Sequence, residues 1–179
     1  PISLLCGCGC GWNEATREMI HCLIQESRVP LVIDADGINV ISEHPEWLLE
    51  KQCPIILTPH LGEFARLCPK ATDLETAIQA FADRYEVIMV VKGPHTIVYG
   101  NHRFYRNTTG NPGMATAGMG DVLAGMISSF CGQGYDPLQA AQLGVYLHGW
   151  CGDQLYLKHY TVLPHRLIEM IPEMMKRLN

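Results

Sequence analysis

Short unbroken apolar runs alternate along this chain with longer stretches in which apolar residues recur every three or four positions, the pattern of strands alternating with helices. Ile2 to Cys6 reads as a buried strand ended by the glycines at 7, 9 and 11. A helical pattern starts near Asn13, with Ile20, Leu23 and Ile24 on one face, and Pro30 closes it. Leu31 to Ile33 is a second strand, ending in Asp34 and Asp36. Pro45 to Glu50 predicts a short helix, Ile55 to Leu57 a third strand, and Glu63 to Cys68 a helix stopped by Pro69. Asp73 is placed to cap a helix whose Leu74, Ala77, Ile78 and Phe81 make one stripe. Val87 to Val91 is a fourth strand, followed by two antiparallel ones, Thr96 to Tyr99 and Arg103 to Tyr105, turned at Gly100-Asn101. A polar, glycine-rich loop from Asn107 to Gly120 leads into three helices: Asp121 to Phe130, Pro137 to Leu157, and Pro164 to Leu178 with a kink at Pro172. The prediction is one α/β domain over residues 1–179, with a mostly parallel central sheet flanked by helices and an antiparallel edge hairpin.

With 47% apolar and 17% charged residues, the chain has ample material for a core, which excludes disorder. Its apolar runs are cut by Gly, Pro or charge well short of the roughly 18 residues a membrane span needs. A formal net charge of -5 provides no basic stripe for a phosphodiester backbone, so neither membrane nor nucleic acid is an expected partner. No signal-peptide pattern opens the chain, and a cytoplasmic location with reduced thiols is expected for its eight cysteines. Cys6, Cys8 and Cys10 alternate and would share one side of an extended segment. Soft-metal ligation is the sharper reading, buried small hydrophobes the plainer one, and spacing identifies no metal site.

Four loops follow the predicted parallel strands, after Cys6, Ile33, Leu57 and Val91, and in a parallel sheet they share one crevice. The strongest signal lies elsewhere, in Thr109-Gly110-Asn111-Pro112-Gly113-Met114-Ala115-Thr116-Ala117-Gly118-Met119-Gly120-Asp121. Its glycines let backbone amides approach an anion, and the helix that follows points its positive end there. Asp121, in the first turn, is placed to take a proton from a hydroxyl; a plain N-cap is the competing reading. Thr58 to Glu63 and Lys92 to Thr96 each read either as ligand-facing loops or as Pro-fixed turns with solvated side chains.

Together these segments carry a resemblance. Gly7 to Gly11, Asp34-Ala35-Asp36-Gly37-Ile38-Asn39, Leu57 to Phe64, Val91 to Thr96 and Gly110 to Asp121 resemble, in order, the motifs of the ADP/ATP-dependent NAD(P)H-hydrate dehydratases of the ribokinase-like superfamily. The resemblance implies ADP- or ATP-dependent dehydration of the S-form of hydrated NADH or NADPH, with AMP or ADP and phosphate released. It implies that Gly9, Gly11, His60, Glu63 and Asp121 face the hydrate, with Asp121 the catalytic base. Lys92, Gly93, Pro94, His95, Thr96, Gly118 and Gly120 would hold the adenine nucleotide, and the amides of Ala117, Gly118, Met119 and Gly120 would form an anion hole. Magnesium is implied by phosphoryl transfer, without identifiable ligands. An NAD(P)H-hydrate epimerase is the implied functional partner.

This chain departs from the family at Cys8, Cys10 and Gly37-Ile38, and the resemblance implies a domain with roughly a hundred further residues before the first glycine-rich turn, a length consistent with a larger domain. An exposed sheet edge is therefore expected. Two rival readings remain at this point: a ribokinase-like small-molecule kinase of the hydroxymethylpyrimidine or hydroxyethylthiazole type, and a non-catalytic nucleotide-binding module. The helix near Ala140 to Leu157 has two apolar arcs, one through Ala141, Val145, His148 and Gly152 and one through Leu143, Leu147 and Trp150. Two arcs read either as burial on both faces within the subunit or as a face left for a second copy, and the resemblance implies a homo-oligomer, a tetramer before a dimer.

Overall fold

The computed structural model describes residues 2–178. Six strands form one sheet in chain order: β1 (Leu4–Cys6), β2 (Leu31–Ile33), β3 (Ile55–Leu57), β4 (Ile88–Val91), β5 (Ile97–Gly100) and β6 (Arg103–Arg106). The first four are parallel, and β5 and β6 run antiparallel as the predicted hairpin. Parallel strands need crossovers, supplied here by α1 (Glu14–Glu26), α2 (Asp36–Glu43) with a following 3-10 turn, and α3 (Leu61–Leu67) with α4 (Leu74–Tyr85). The other face carries α5 (Met119–Gly132), α6 (Pro137–Tyr156) and α7 (Pro164–Leu178).

The two-residue period of a strand divides the core. Leu31, Ile33, Ile55, Leu57, Met89 and Val91 point to the α1–α4 side, whereas Val32, Ile56 and Val90 point to the α5–α7 side. Strands buried on both faces read as continuous apolar runs, which is why β2 and β3 were visible in the sequence. β1 pairs only with β2 and forms an edge, where Leu5 is exposed. Among the described residues no helix is long and apolar enough to cross a membrane.

The sequence pattern missed α2, which opens immediately after Asp34 through Ala35 at φ 51°. Gly37, a residue that argues against a helix, is there for a close approach: a Cβ on it would lie 2.6 Å from Ile33 Cγ2. Cys6, Cys8 and Cys10 do not share one side of an extended segment, because β1 stops at Cys6 and Gly7 and Gly9 turn the chain at positive φ. All eight cysteines are free. Pro172 sits inside an uninterrupted α7 and leaves the Ile168 carbonyl without its helical donor. Both arcs of α6 are used within the subunit. Val145, Leu147, His148, Cys151 and Leu155 are buried, Leu143 and Trp150 pack on the same cluster, and the helix lies against α5, α7, β4 and β5. The expectation of an oligomer therefore loses its basis in this helix.

Candidate active site

The ends of the parallel strands bring distant residues together. Asp34, directly after β2, is 1% exposed, and its Oδ1 accepts a hydrogen bond from Lys92 Nζ, directly after β4, at 2.6 Å. Lys92 is fixed by an extension of sheet pairing into the loops, with its N–H donating to the Pro59 carbonyl at 2.8 Å and a parallel bridge to His60. A carboxylate this buried requires such a partner. Cys8 Sγ and a carboxylate oxygen from each of Asp34 and Asp121 all lie within 4.8 Å of one another. Burial first, then the negative charges of Asp34 and Asp121, push the Cys8 thiol up to about 12.

The helix start closes this cluster. Gly118 caps α5 in the left-handed region at φ 84°, and no side chain caps the helix start by a hydrogen bond. Met119, Gly120 and Asp121 form the first turn, and Asp121 is exposed. A Cβ on Gly120 would stand 3.2 Å from Lys92 Nζ, which places the Lys92 ammonium beside the amides of the predicted anion hole. Backbone donors and a fixed cation around one point suit a transferring phosphoryl group. Behind the helix start, His148 Nε2 donates to the Met119 carbonyl at 3.2 Å, and burial lowers its ring to about 4, so it is neutral near pH 7.

The remaining predicted residues have varied placements. His60 Nδ1 accepts from the N–H groups of Gly62 and Glu63 at 2.9 and 3.1 Å, and buried Glu63 accepts from the His60 N–H at 2.7 Å, a reciprocal cap on α3. His60 remains exposed at the same sheet edge, while Glu63 is committed to the cap. Gly11 N–H donates to Asp36 at 2.8 Å and Gly9 faces open space. Gly93, Pro94 and His95 are exposed, and the Thr96 hydroxyl closes the turn on Gly93. Cys8 belongs to this charged cluster and not among buried small hydrophobes, and the sequence marks Asp34 only by its place after a strand and within the Asp34–Asn39 motif. Their contact was invisible because the cluster is assembled from residues far apart in the chain.

Asp34 and Asp121 offer hard oxygen donors of the kind magnesium takes, although Lys92 already neutralises Asp34 and the Cys8 sulfur does not suit that ion.

The chain is similar to known proteins along almost its whole length. The chain is 36% identical to the ADP-dependent (S)-NAD(P)H-hydrate dehydratase of Staphylococcus aureus over 180 residues, which is 98% of this chain and 64% of that protein. It is also 36% identical over 183 residues to a bifunctional NAD(P)H-hydrate repair enzyme of Moorella thermoacetica, covering 98% of this chain but only 34% of the longer one. The chain thus spans less than two thirds of the length of these relatives. Among solved structures, a ribokinase-like superfamily protein from Enterococcus faecalis superposes with a TM-score of 0.87 at 28% identity, over 98% of this chain and 63% of that one. The ADP/ATP-dependent NAD(P)H-hydrate dehydratase of Bacillus subtilis, co-crystallised with ATP and magnesium, gives 0.85 at 27% identity, over 99% and 65%. The fold is ribokinase-like. The sequence profile of the NAD(P)H-hydrate dehydratases matches residues 3–173, and the chain belongs to that family.

Proposed function

We propose that the protein takes part in nicotinamide-nucleotide repair, removing water from the S-form of NADH or NADPH hydrate at the expense of ADP or ATP. The observation that carries this reading is the meeting of Lys92, Asp34, Gly120 and Asp121 at one sheet edge, on the scaffold of the dehydratase family. In this reading Asp121 takes the proton of the C6 hydroxyl as that oxygen attacks the terminal phosphoryl group of the nucleotide. The O–P bond forms, the bond to the leaving AMP or ADP breaks, and phosphate then departs from C6, pushed by the ring-nitrogen lone pair. Loss of a C5 proton restores the dihydronicotinamide.

Lys92 and the amides of Ala117 to Gly120 stabilise charge on the transferring group, a contribution of about 3 kcal/mol per donor in comparable sites. Asp34 holds the Lys92 ammonium in place. Magnesium would supply further charge neutralisation when bound with the nucleotide, and Asp121 would be the carboxylate available to it. His60 and the exposed Gly9–Gly11 turn line the side open to the hydrate. An epimerase is the partner activity this reading requires, because an enzyme for the S-form leaves the R-form untouched. A cytoplasmic location and a homo-oligomer belong to the same reading.

The test is incubation of NADH hydrate with ADP and magnesium, following recovery of reduced-nicotinamide absorbance. Recovery that depends on nucleotide supports the reading. Phosphorylation of a hydroxymethylpyrimidine or hydroxyethylthiazole alcohol without any such recovery would replace it with the small-molecule kinase, and nucleotide binding with neither reaction would leave a binding module.

A further inference from the structure

The segment from Asn107 to Gly118 carries the anion hole at its end yet has little regular structure of its own, one 3-10 turn at Pro112–Met114. A loop of this length in water samples many positions. Its fixed course comes from one face of α6. Near its start, Asn107 Nδ2 donates to the Val145 carbonyl at 3.3 Å and the Thr109 hydroxyl to the Tyr146 carbonyl at 2.8 Å. About two turns further along α6, Asp153 grips the loop with both oxygens: Oδ2 accepts from the Gly110 N–H at 3.0 Å and Oδ1 from Asn111 Nδ2 at 2.9 Å. Asn111 Oδ1 passes the hold on by accepting from the Gly113 N–H at 3.0 Å. At the far end His148, on the same helix, donates to the Met119 carbonyl.

Between these anchors the loop lies directly on the helix backbone. A Cβ at Gly149 would stand 2.6 Å from the Thr109 carbonyl carbon and 2.8 Å from Gly110 N, and one at Gly152 would overlap the Met114 sulfur. Glycine at these two positions is what allows the approach.

We propose that Asp153 and His148 are positioning residues that clamp the two ends of the 110–119 segment and so set the anion-hole amides in register with Lys92 and Asp121. The inference rests on the dehydratase reading above for its catalytic consequence. Neither side chain need touch a ligand.

The Asp153–Asn111 pair provides a test that separates positioning from simple stability. Asp153→Asn sets two amide donors against each other, and Asn111→Asp sets two carboxylates against each other. In the double variant Asn111→Asp/Asp153→Asn donor and acceptor change sides, and all three hydrogen bonds of the cluster are again possible. The expected result is a kcat about 10²-fold lower in each single variant, with KM for ADP within about threefold, and recovery to within about tenfold in the double variant, since misplacement by about 1 Å costs about 10². Hydrogen exchange of the amides from Gly110 to Gly120 should quicken in the single variants and return in the double one.

Single variants that lower the melting temperature but keep kcat would overturn the inference, as would unchanged exchange of the loop amides, or a double variant with restored stability and no restored kcat. If the unaltered protein shows no ADP-dependent recovery of NADH from its hydrate, the dehydratase reading falls instead. The clamp is then decided by the exchange of those amides alone.

Discussion

His148 gives the structure a measurable acid sensitivity. The ring is buried between α5 and α6, its Nε2 donates to the Met119 carbonyl, and burial lowers its proton affinity from an ordinary value of 6.5 to about 4. The unfolded chain takes up the proton as pH falls through 6.5 while the native protein resists until about 4, so in that window the unfolded state binds more protons and native stability falls with pH. Above 6.5 the full stability is present; below 4 the loss levels off. At about 1.4 kcal/mol for each tenfold change in proton affinity, the drop amounts to about 3 kcal/mol, a large part of the roughly 5–15 kcal/mol that holds a domain folded. The perturbation to make is His148→Gln, whose amide can still donate to the carbonyl but cannot titrate. Urea unfolding of both proteins from pH 7.5 to pH 4 reads the difference, because every other titrating group is common to the two and cancels. The wild type should lose about 3 kcal/mol more than the variant across this window. Parallel curves, separated by a constant offset, would show that His148 is not held neutral by burial and would refute the reasoning.

Replacing the proposed base, Asp121→Asn, should lower turnover by about 10²- to 10⁴-fold while calorimetry finds AMP affinity little changed; near-normal turnover at saturating ADP would remove Asp121 from its role. Lys92→Met leaves Asp34 buried without its cation and should cost about 3–5 kcal/mol in denaturant unfolding, whereas Lys92→Met/Asp34→Asn should recover most of that stability without recovering nucleotide affinity. Recovery of both would make the ion pair purely structural. With its thiol pushed up to about 12, Cys8 should react with iodoacetamide at pH 8 about a thousandfold more slowly than a short cysteine peptide, a rate that peptide mapping over time would read and that fast labelling would contradict.

The strands and most helices were legible because their signals are local. β2 and β3 are three-residue apolar runs buried on both faces, and α4 presents Ile78 and Phe81 on a single stripe below the Asp73 cap. α2 was not, because its glycine serves the contact with Ile33 and its first residue is an acid that reads equally well as the end of a strand. The same limit governs α6. Its two apolar arcs are plain in the sequence, but only the packing shows that α5, α7 and the sheet take up both, and that its glycines and Asp153 serve the loop on top of it.

The acids at the sheet edge show where local reading ends. Asp34, Asp36, Glu63 and Asp121 look alike in the sequence, each following a strand or opening a helix. In the folded chain Asp34 is spent on Lys92, Asp36 on the Gly11 amide and Glu63 on the His60 cap, all through contacts with residues on other segments or across a turn. Each of these carboxylates already accepts a hydrogen bond from a fixed donor, which leaves it less free to turn to a ligand. Asp121 keeps an exposed carboxylate in the first turn of α5, with an oxygen within 4.8 Å of Asp34 and of the Cys8 sulfur. The contacts of the other three leave Asp121 the acid of the four most open to a substrate, which supports its proposed role as base, and those of Asp34 and Asp36 join segments that the sequence does not show to be neighbours.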